Sequence, residues 1–320
     1  MHETGRYTLK APWWQYNGFV QTIAPAVLRR TRLPEYTRER ITTPDDDFLD
    51  LDWLLQPKHD ALVILSHGLE GNTQKGYIRA MAKAFFEQHY SVLAWNNRSC
   101  SGEMSRTLKV NHHGEVDDID WVVRHALQRY AFKKVYLIGF SLGGSIVLNY
   151  VARSATKLPS EIKGAVAFST PCDLRSASET LDFSRNKFFY SLFFKRISEK
   201  IVQKEAQFPG TFDLQALGQI KNWKDFDDQF CAKLCGFSNG PTFYEEVSCL
   251  PHLHKIQIDT LLVNADNDPI LTEKCHPFAV ANQSKNFRFI LTDQGGHIGF
   301  EESGLPMSFM ERSALEFFNQ

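Results

Sequence analysis

The sequence predicts an α/β fold, with a mostly parallel central sheet, helices on both faces and a helical cap insertion. Three observations carry this. From about residue 60, short apolar runs alternate with stretches of helical period, the signature of right-handed βαβ crossovers. The rhythm breaks at Pro171, and residues 173–247 read as Phe-rich helices without a clear strand. It resumes at 258–266 and runs to the C-terminus. The expected division is a first core part at 1–172 with an N-terminal arm at 1–35, a cap at 173–247, and a second core part at 248–320.

Each element has its own reason. "YTRERITT" (36–43) and "FLDLDWLL" (48–55) alternate polar and apolar residues, which suits an antiparallel edge of the sheet. "ALVILSH" (61–67) is a continuous apolar run bounded by polar and glycine signals, a buried strand, and a helical stretch follows near 75–88. "YSVLAWN" (90–96) is the next strand and "GEVDDIDWVVRHALQRY" (114–130) the next helix. "KVYLIGF" (134–140) leads into a helix from Ser141 to about Arg153, and "KGAVAFS" (163–169) closes the first part. After the insertion come "IDTLLVNAD" (258–266), a helix near 272–282, the strand "FRFILT" (287–292) and a terminal helix, "MSFMERSALEFFN".

A chain of 320 residues can bury a full core. With 43% apolar and 23% charged residues it reads as a soluble globular protein. A net charge of -1 gives no electrostatic case for nucleic acid or an anionic membrane as main partner. The longest apolar candidate, "FVQTIAPAVL", is too short to span a bilayer and carries Pro25, and the start lacks the parts of a signal peptide. The six cysteines are scattered without a CxxC pair, so neither a zinc site nor a dense disulfide framework is expected. A reducing cytoplasm fits, although spacing leaves a bridge such as Cys231 to Cys249 open. Oligomeric state is not legible.

The chemistry gathers around Gly139-Phe140-Ser141-Leu142-Gly143. This G-x-S-x-G pattern has a strand before it and a helix after it, the context that presents a nucleophile above the sheet edge. A serine needs a base to take its proton, and the base needs an orienting acid. In this architecture both follow the serine, each in a loop after a strand. Of the 11 histidines, His297 alone lies downstream of the cap in a glycine-rich turn after a strand. Asp268 precedes Pro269, which biases it to extended backbone beyond the strand end. Asp266 is its rival and Asp173 a third option, while Asp293 lies too near His297 in sequence. An oxyanion needs N–H donors: one from Leu142, after the nucleophile, and one from Leu69 in "SHGLEGN" (66–72). His67 reads as structural, holding that loop.

Several other residues have bland readings. Trp13 and Trp14 read as an aromatic arm packing on its own domain rather than touching a bilayer. Phe188, Phe189, Phe193 and Phe194 fall at helical spacing, so they either line an acyl pocket or pack the cap on the body. His112-His113 and Asp45-Asp46-Asp47 read as solvated loops.

On "HGLEGN", "NNRSCSGE", "GEVDDIDWVV", "GFSLGGSIVLNY", "NADNDPI" and "GGHIGF", in that order, with the lead-in "FVQTIAP", the chain resembles the α/β-hydrolase superfamily and its YheT-like branch. That branch includes eukaryotic membrane-associated lipases and esterases and the yeast medium-chain acyl–ethanol transferases. The resemblance implies the α/β-hydrolase fold, with Ser141 as nucleophile, Asp268 as acid and His297 as base. One departure is visible: the family's Arg-Gly-Cys is here Arg98-Ser99-Cys100. The expectation is a serine hydrolase of small, lipid-like carboxylic esters with short- to medium-chain acyl groups, needing no metal or organic cofactor. The alternatives are an acyltransferase that passes the acyl group to an alcohol, and a non-catalytic binding protein that retains the fold.

Overall fold

A computed structural model describes residues 3–58 and 60–319. Nine strands form one sheet: β1 (Gly5–Tyr7), β2 (Thr37–Thr42), β3 (Phe48–Leu54), β4 (Ala61–Ser66), β5 (Ser91–Trp95), β6 (Lys134–Phe140), β7 (Ile162–Phe168), β8 (Asp259–Ala265) and β9 (Phe287–Thr292). Their order is β1-β9-β8-β7-β6-β4-β5-β3-β2. All pairs from β5 through β4, β6, β7, β8 and β9 to β1 are parallel, whereas β2 and β3 are antiparallel. The expected fold class is the observed one.

Local chemistry explains the two kinds of strand. The central strands are buried on both faces and therefore apolar throughout, as β4 is from Leu62 to Leu65. On β3 the alternation is paired across the ladder instead: Arg38 and Arg40 of β2 donate to Asp52 and Asp50, with Nε–Oδ1 distances of 2.7 and 2.8 Å. Helices α3 (Asp117–Arg129) and α4 (Leu142–Arg153) cover one face, and α2 (Gly76–Glu87) with the terminal helix Phe309–Phe318 covers the other. In α3, Asp117, Asp118 and Asp120 crowd the first turn, where the helix dipole favours negative charge, and Ile119, Val122, Val123 and Ala126 face the core.

Between β7 and β8 the chain is helical, including α5 (Leu174–Thr180) and α6 (Lys187–Gln207). An aromatic cluster packs this segment, with Phe226 against Phe194 at 4.7 Å and against Trp223 at 5.3 Å between ring centroids.

Three expectations need correction. Residues 3–35 are more than an arm, because β1 pairs with β9 in register from Gly5–Ile290 to Tyr7–Thr292, and helix α1 (Gly18–Leu28) bonds to the loops that follow β8 and β9. Trp13 does not pack on the domain: Gln15 is the turn residue held inside, so Trp13 points outward. The helix near 272–282 is broken at Pro277 into Glu273–Cys275 and Phe278–Ala281. The bridge that spacing left open between Cys231 and Cys249 is not formed, all six cysteines being free thiols.

Candidate active site

Ser141 sits between β6 and α4 with φ 54° and ψ -118°, a left-handed strain that costs a non-glycine residue about 1–3 kcal/mol. Its N–H donates to the Phe168 carbonyl at 2.9 Å. Small neighbours make the turn possible. A Cβ on Gly139 would overlap Gly143, and one on Gly143 would overlap the Ser66 carbonyl.

His297 lies beyond β9 and Asp268 beyond β8, and both reach Ser141. Asp268 Oδ2 is 2.8 Å from His297 Nδ1, and His297 Nε2 is 2.9 Å from Ser141 Oγ. With the imidazole proton on Nδ1 facing the carboxylate, Nε2 is left to accept from the serine hydroxyl. The other carboxylate oxygen, Oδ1, accepts from the N–H groups of Ile270 and Leu271 at 2.8 and 3.3 Å. Asp268 is thus fixed by its own loop. Its rivals are occupied elsewhere: Asp266 faces Arg6 at 3.5 Å, Asp173 caps α5, and Asp293 accepts from Leu9 N–H.

The predicted oxyanion loop runs beside Ser141, close enough that a Cβ on Gly68 would lie 3.2 Å from Ser141 Cβ. Gly68 N–H donates to Tyr77 Oη at 3.0 Å, so the next N–H, that of Leu69, is the loop's candidate donor. Leu142 begins α4, where N–H groups lack intrahelical partners. Both leucines line the cavity beside Ser141 and His297. His67 is buried; its Nδ1 donates to Gly68 O at 2.7 Å and its Nε2 accepts from Asn97 N–H at 3.0 Å. Burial pulls its pKa down to about 4, so it holds the loop as a neutral ring.

Sequence reasoning missed the clamp on the histidine loop. Thr22 Oγ1 of α1 accepts from His297 N–H at 2.8 Å, and Gln21 Oε1 accepts from Gly295 N–H at 2.8 Å and from Asn267 Nδ2 at 2.9 Å. Asn267 in turn receives Gly296 N–H at 3.0 Å, and Ser169 Oγ receives Ile298 N–H at 2.9 Å. Gly18 allows the approach, since a Cβ there would overlap the Asn267 carbonyl. The one sequence signal was a glutamine and a threonine inside an otherwise apolar helix.

Above the serine lies a cavity lined by Ser141, Leu142 and His297. Its wall is mainly apolar, with Leu181, Phe193, Ile197 and Trp223 from the helical segment. Of the four phenylalanines singled out, Phe193 lines it; Phe189 is buried in packing, Phe194 stacks on Tyr190, and Phe188 faces outward. The wall also carries an ion pair, Lys200 Nζ to Glu70 Oε1 at 2.7 Å, with Cys100 Sγ 3.3 Å from the same ammonium. Asp227 lies in a π turn, Asp227–Cys231, accepting from Tyr244 Oη at 2.7 Å and Ser178 Oγ at 3.1 Å. Burial pushes its carboxyl up to about 6.

Of the two stretches read as solvated loops, Asp45 and Asp46 are exposed, while Asp47 and the turn of His112 and His113 are not. His112 and His113 line the cavity because Phe237 and Val247 cover their turn, and burial pulls His112 down to about 4. Asp47 is buried because the guanidinium of Arg98, itself nearly inaccessible, gathers Asp45, Asp47 and Asp118 at 2.7, 3.1 and 2.8 Å. The departure at Ser99 also has an explanation. Its φ is 61°, a backbone glycine adopts freely, and the serine hydroxyl answers by accepting from Ser105 N–H at 3.0 Å.

Residues 61–304 match the family described as the alpha/beta hydrolase fold. The chain belongs to that family. This hydrolase-fold chain is 28% identical to YheT of Escherichia coli (strain K12), over 89% of its own length and 84% of the relative's, and falls in the YheT-like branch. It is 26% identical to phospholipase ABHD3 of Homo sapiens, over 95% and 76% of the two chains. Among solved structures it resembles the Pyrococcus furiosus esterase Pf2001, with a TM-score of 0.61, 17% identity, and coverage of 91% of this chain and 96% of that one. The last likeness is one of fold.

Proposed function

We propose that this member of the family hydrolyses carboxylic esters through an acyl-enzyme on Ser141. The carrying observation is the hydrogen-bonded line Asp268–His297–Ser141, at 2.8 and 2.9 Å, ending in an apolar cavity. Ser141 Oγ attacks the ester carbonyl while His297 Nε2 takes its proton. Asp268 holds the imidazole and stabilises its charged form, and the N–H groups of Leu69 and Leu142 receive the oxyanion. The tetrahedral adduct collapses, the alcohol leaves with the proton from His297, and water, deprotonated by the same imidazole, releases the acid.

Residues 173–247 act in this reading as a cap whose apolar wall takes the acyl chain. Phe193, Ile197 and Trp223 support a short- to medium-chain acyl group. The relatives' names, a phospholipase and, in Bos taurus, monoacylglycerol lipase ABHD2, support an ester or lipid-like substrate. The free thiols support a reducing, cytoplasmic setting.

A panel of p-nitrophenyl esters of increasing chain length, run with and without ethanol, tests the proposal. Turnover peaking at short or medium chains, with free acid as the product in both conditions, is expected. Ethyl esters as the main product would convert the assignment to acyl transfer, and no turnover of any ester would defeat it.

A further inference from the structure

The turn that carries Leu69 is gripped from two sides. Gly71 N–H donates to Gly68 O at 3.0 Å and closes it, with Leu69 and Glu70 at its centre. On the body side, Tyr77 Oη accepts from Gly68 N–H and His67 Nδ1 donates to Gly68 O. On the other side stands α6. Arg196 Nη1 donates to the Glu70 carbonyl at 3.1 Å, and Lys200 Nζ donates to Glu70 Oε1 at 2.7 Å. The two cations are four residues apart, so one face of α6 holds both the backbone and the side chain of Glu70. Lys200 is itself steadied by Cys100, whose Sγ lies 3.3 Å from the ammonium.

Glu70 has need of the grip. Its φ is 53°, a left-handed conformation that a residue with a side chain keeps only where its surroundings impose it. Among the described residues, both hydrogen bonds that Glu70 accepts come from α6. An exposed ion pair would carry little weight, but the side chains of Lys200 and Glu70 are only 13% and 11% exposed. Leu69 packs against the hydrophobic cluster that contains Ile197 and Ile201 of the same helix. An N–H group stabilises an oxyanion only from hydrogen-bond distance, and a misplacement of about 1 Å can cost about 10²-fold in rate. Whatever fixes Glu70 therefore fixes the aim of the neighbouring Leu69 N–H.

We propose that Arg196 and Lys200 are positioning residues which, by holding Glu70, aim the Leu69 N–H at the oxyanion, so that α6 completes the oxyanion hole. The proposal rests on the reading of Ser141 and Leu69 given above. The same helix supplies Phe193 and Ile197 to the cavity wall, so the element that meets the substrate is also the one that sets the donor.

The test combines kinetics on a p-nitrophenyl ester with hydrogen exchange of the peptide spanning residues 67–72, both in the full chain. Arg196→Met/Lys200→Met should lower kcat about 10- to 100-fold with KM close to the parent's, and should quicken exchange in that peptide. Inhibition by a trifluoromethyl ketone, which a serine nucleophile converts to a tetrahedral oxyanion, should weaken by the same factor as kcat/KM. Glu70→Gln, which keeps an oxygen for Lys200, should lose far less than Glu70→Ala. Lys195→Met, which removes an exposed cation of the same helix, should keep the parent's kinetics. Lys200→Met alone is read in the same way where the double variant does not fold. Three results would overturn the proposal: faster exchange with the parent's kcat, a rise in KM alone, which would put Lys200 on the substrate, or exchange unchanged. A parent that turns over no ester would defeat the assignment of Ser141 instead, and exchange would still report whether α6 holds the turn.

Discussion

Arg98 and His297 are both largely buried and both face carboxylates, yet their surroundings differ. Arg98 directs its N–H groups to Asp45, Asp47 and Asp118; burial pulls its pKa down, but the hydrogen bonds to Asp118 and Asp45 outweigh it and hold it above the ordinary range. Every direction around it ends in protein. His297 has one nitrogen on Asp268 and the other on a hydroxyl whose far side opens to the cavity. A closed polar network can only stabilise, because moving any proton or charge breaks a bond already made. An open one leaves a proton free to move when substrate arrives. The contrast separates a residue that builds the fold from one placed where the proposed chemistry needs a mobile proton.

Substitutions can break or sharpen that contrast. The largest effect is expected at the open end. Ser141→Ala should lower ester turnover by about 10⁴-fold or more while leaving the melting temperature within experimental scatter of the parent. Close behind, Asp268→Asn should lower kcat by about 10⁴-fold through the wrong imidazole tautomer. Asp266→Asn, by contrast, should leave the kinetics of the parent. Equal losses in both would mean that the carboxylate has been misassigned.

At the closed end, Arg98→Leu should act on the fold. It strands buried carboxylates and should cost about 3–5 kcal/mol in denaturant unfolding, with turnover per folded molecule retained. A variant that stays stable but loses turnover would move Arg98 to the other side of the comparison.

Asp227 is the intermediate case, a buried carboxyl on the cavity wall. Its folded pKa of about 6 lies above the ordinary 3.8, so its contribution to stability is complete below about pH 4 and lost as pH rises through 6. Asp227→Asn cannot ionise. Its stability relative to the parent should therefore climb between pH 4 and 6 and level off above, by up to about 3 kcal/mol. A difference independent of pH would show that the carboxyl is charged at all these values.

What the sequence disclosed follows the range of the forces involved. Eight of the nine strands were legible because buried parallel strands are unbroken apolar runs and the antiparallel pair alternates. That Ser141, His297 and Asp268 would come together was legible because each follows such a strand. The three-residue β1 is too short for any period, and its partner β9 lies some 280 residues along the chain. The same distance hid the part played by Gln21 and Thr22, since what they hold is a loop at the other end of the sequence. Asp47 looked solvated for want of knowledge that Arg98 would fold onto it. The turn of His112 and His113 is covered by a segment more than a hundred residues away. Local patterns reveal what local forces shape; tertiary contacts decide the rest.

The most direct test of the central claim is labelling with a fluorophosphonate followed by intact-mass measurement and mapping of the modified peptide. A single adduct on Ser141, formed in step with loss of ester turnover and absent in His297→Ala, is the predicted result. An adduct on a different residue, or full turnover in protein completely labelled at Ser141, would contradict it.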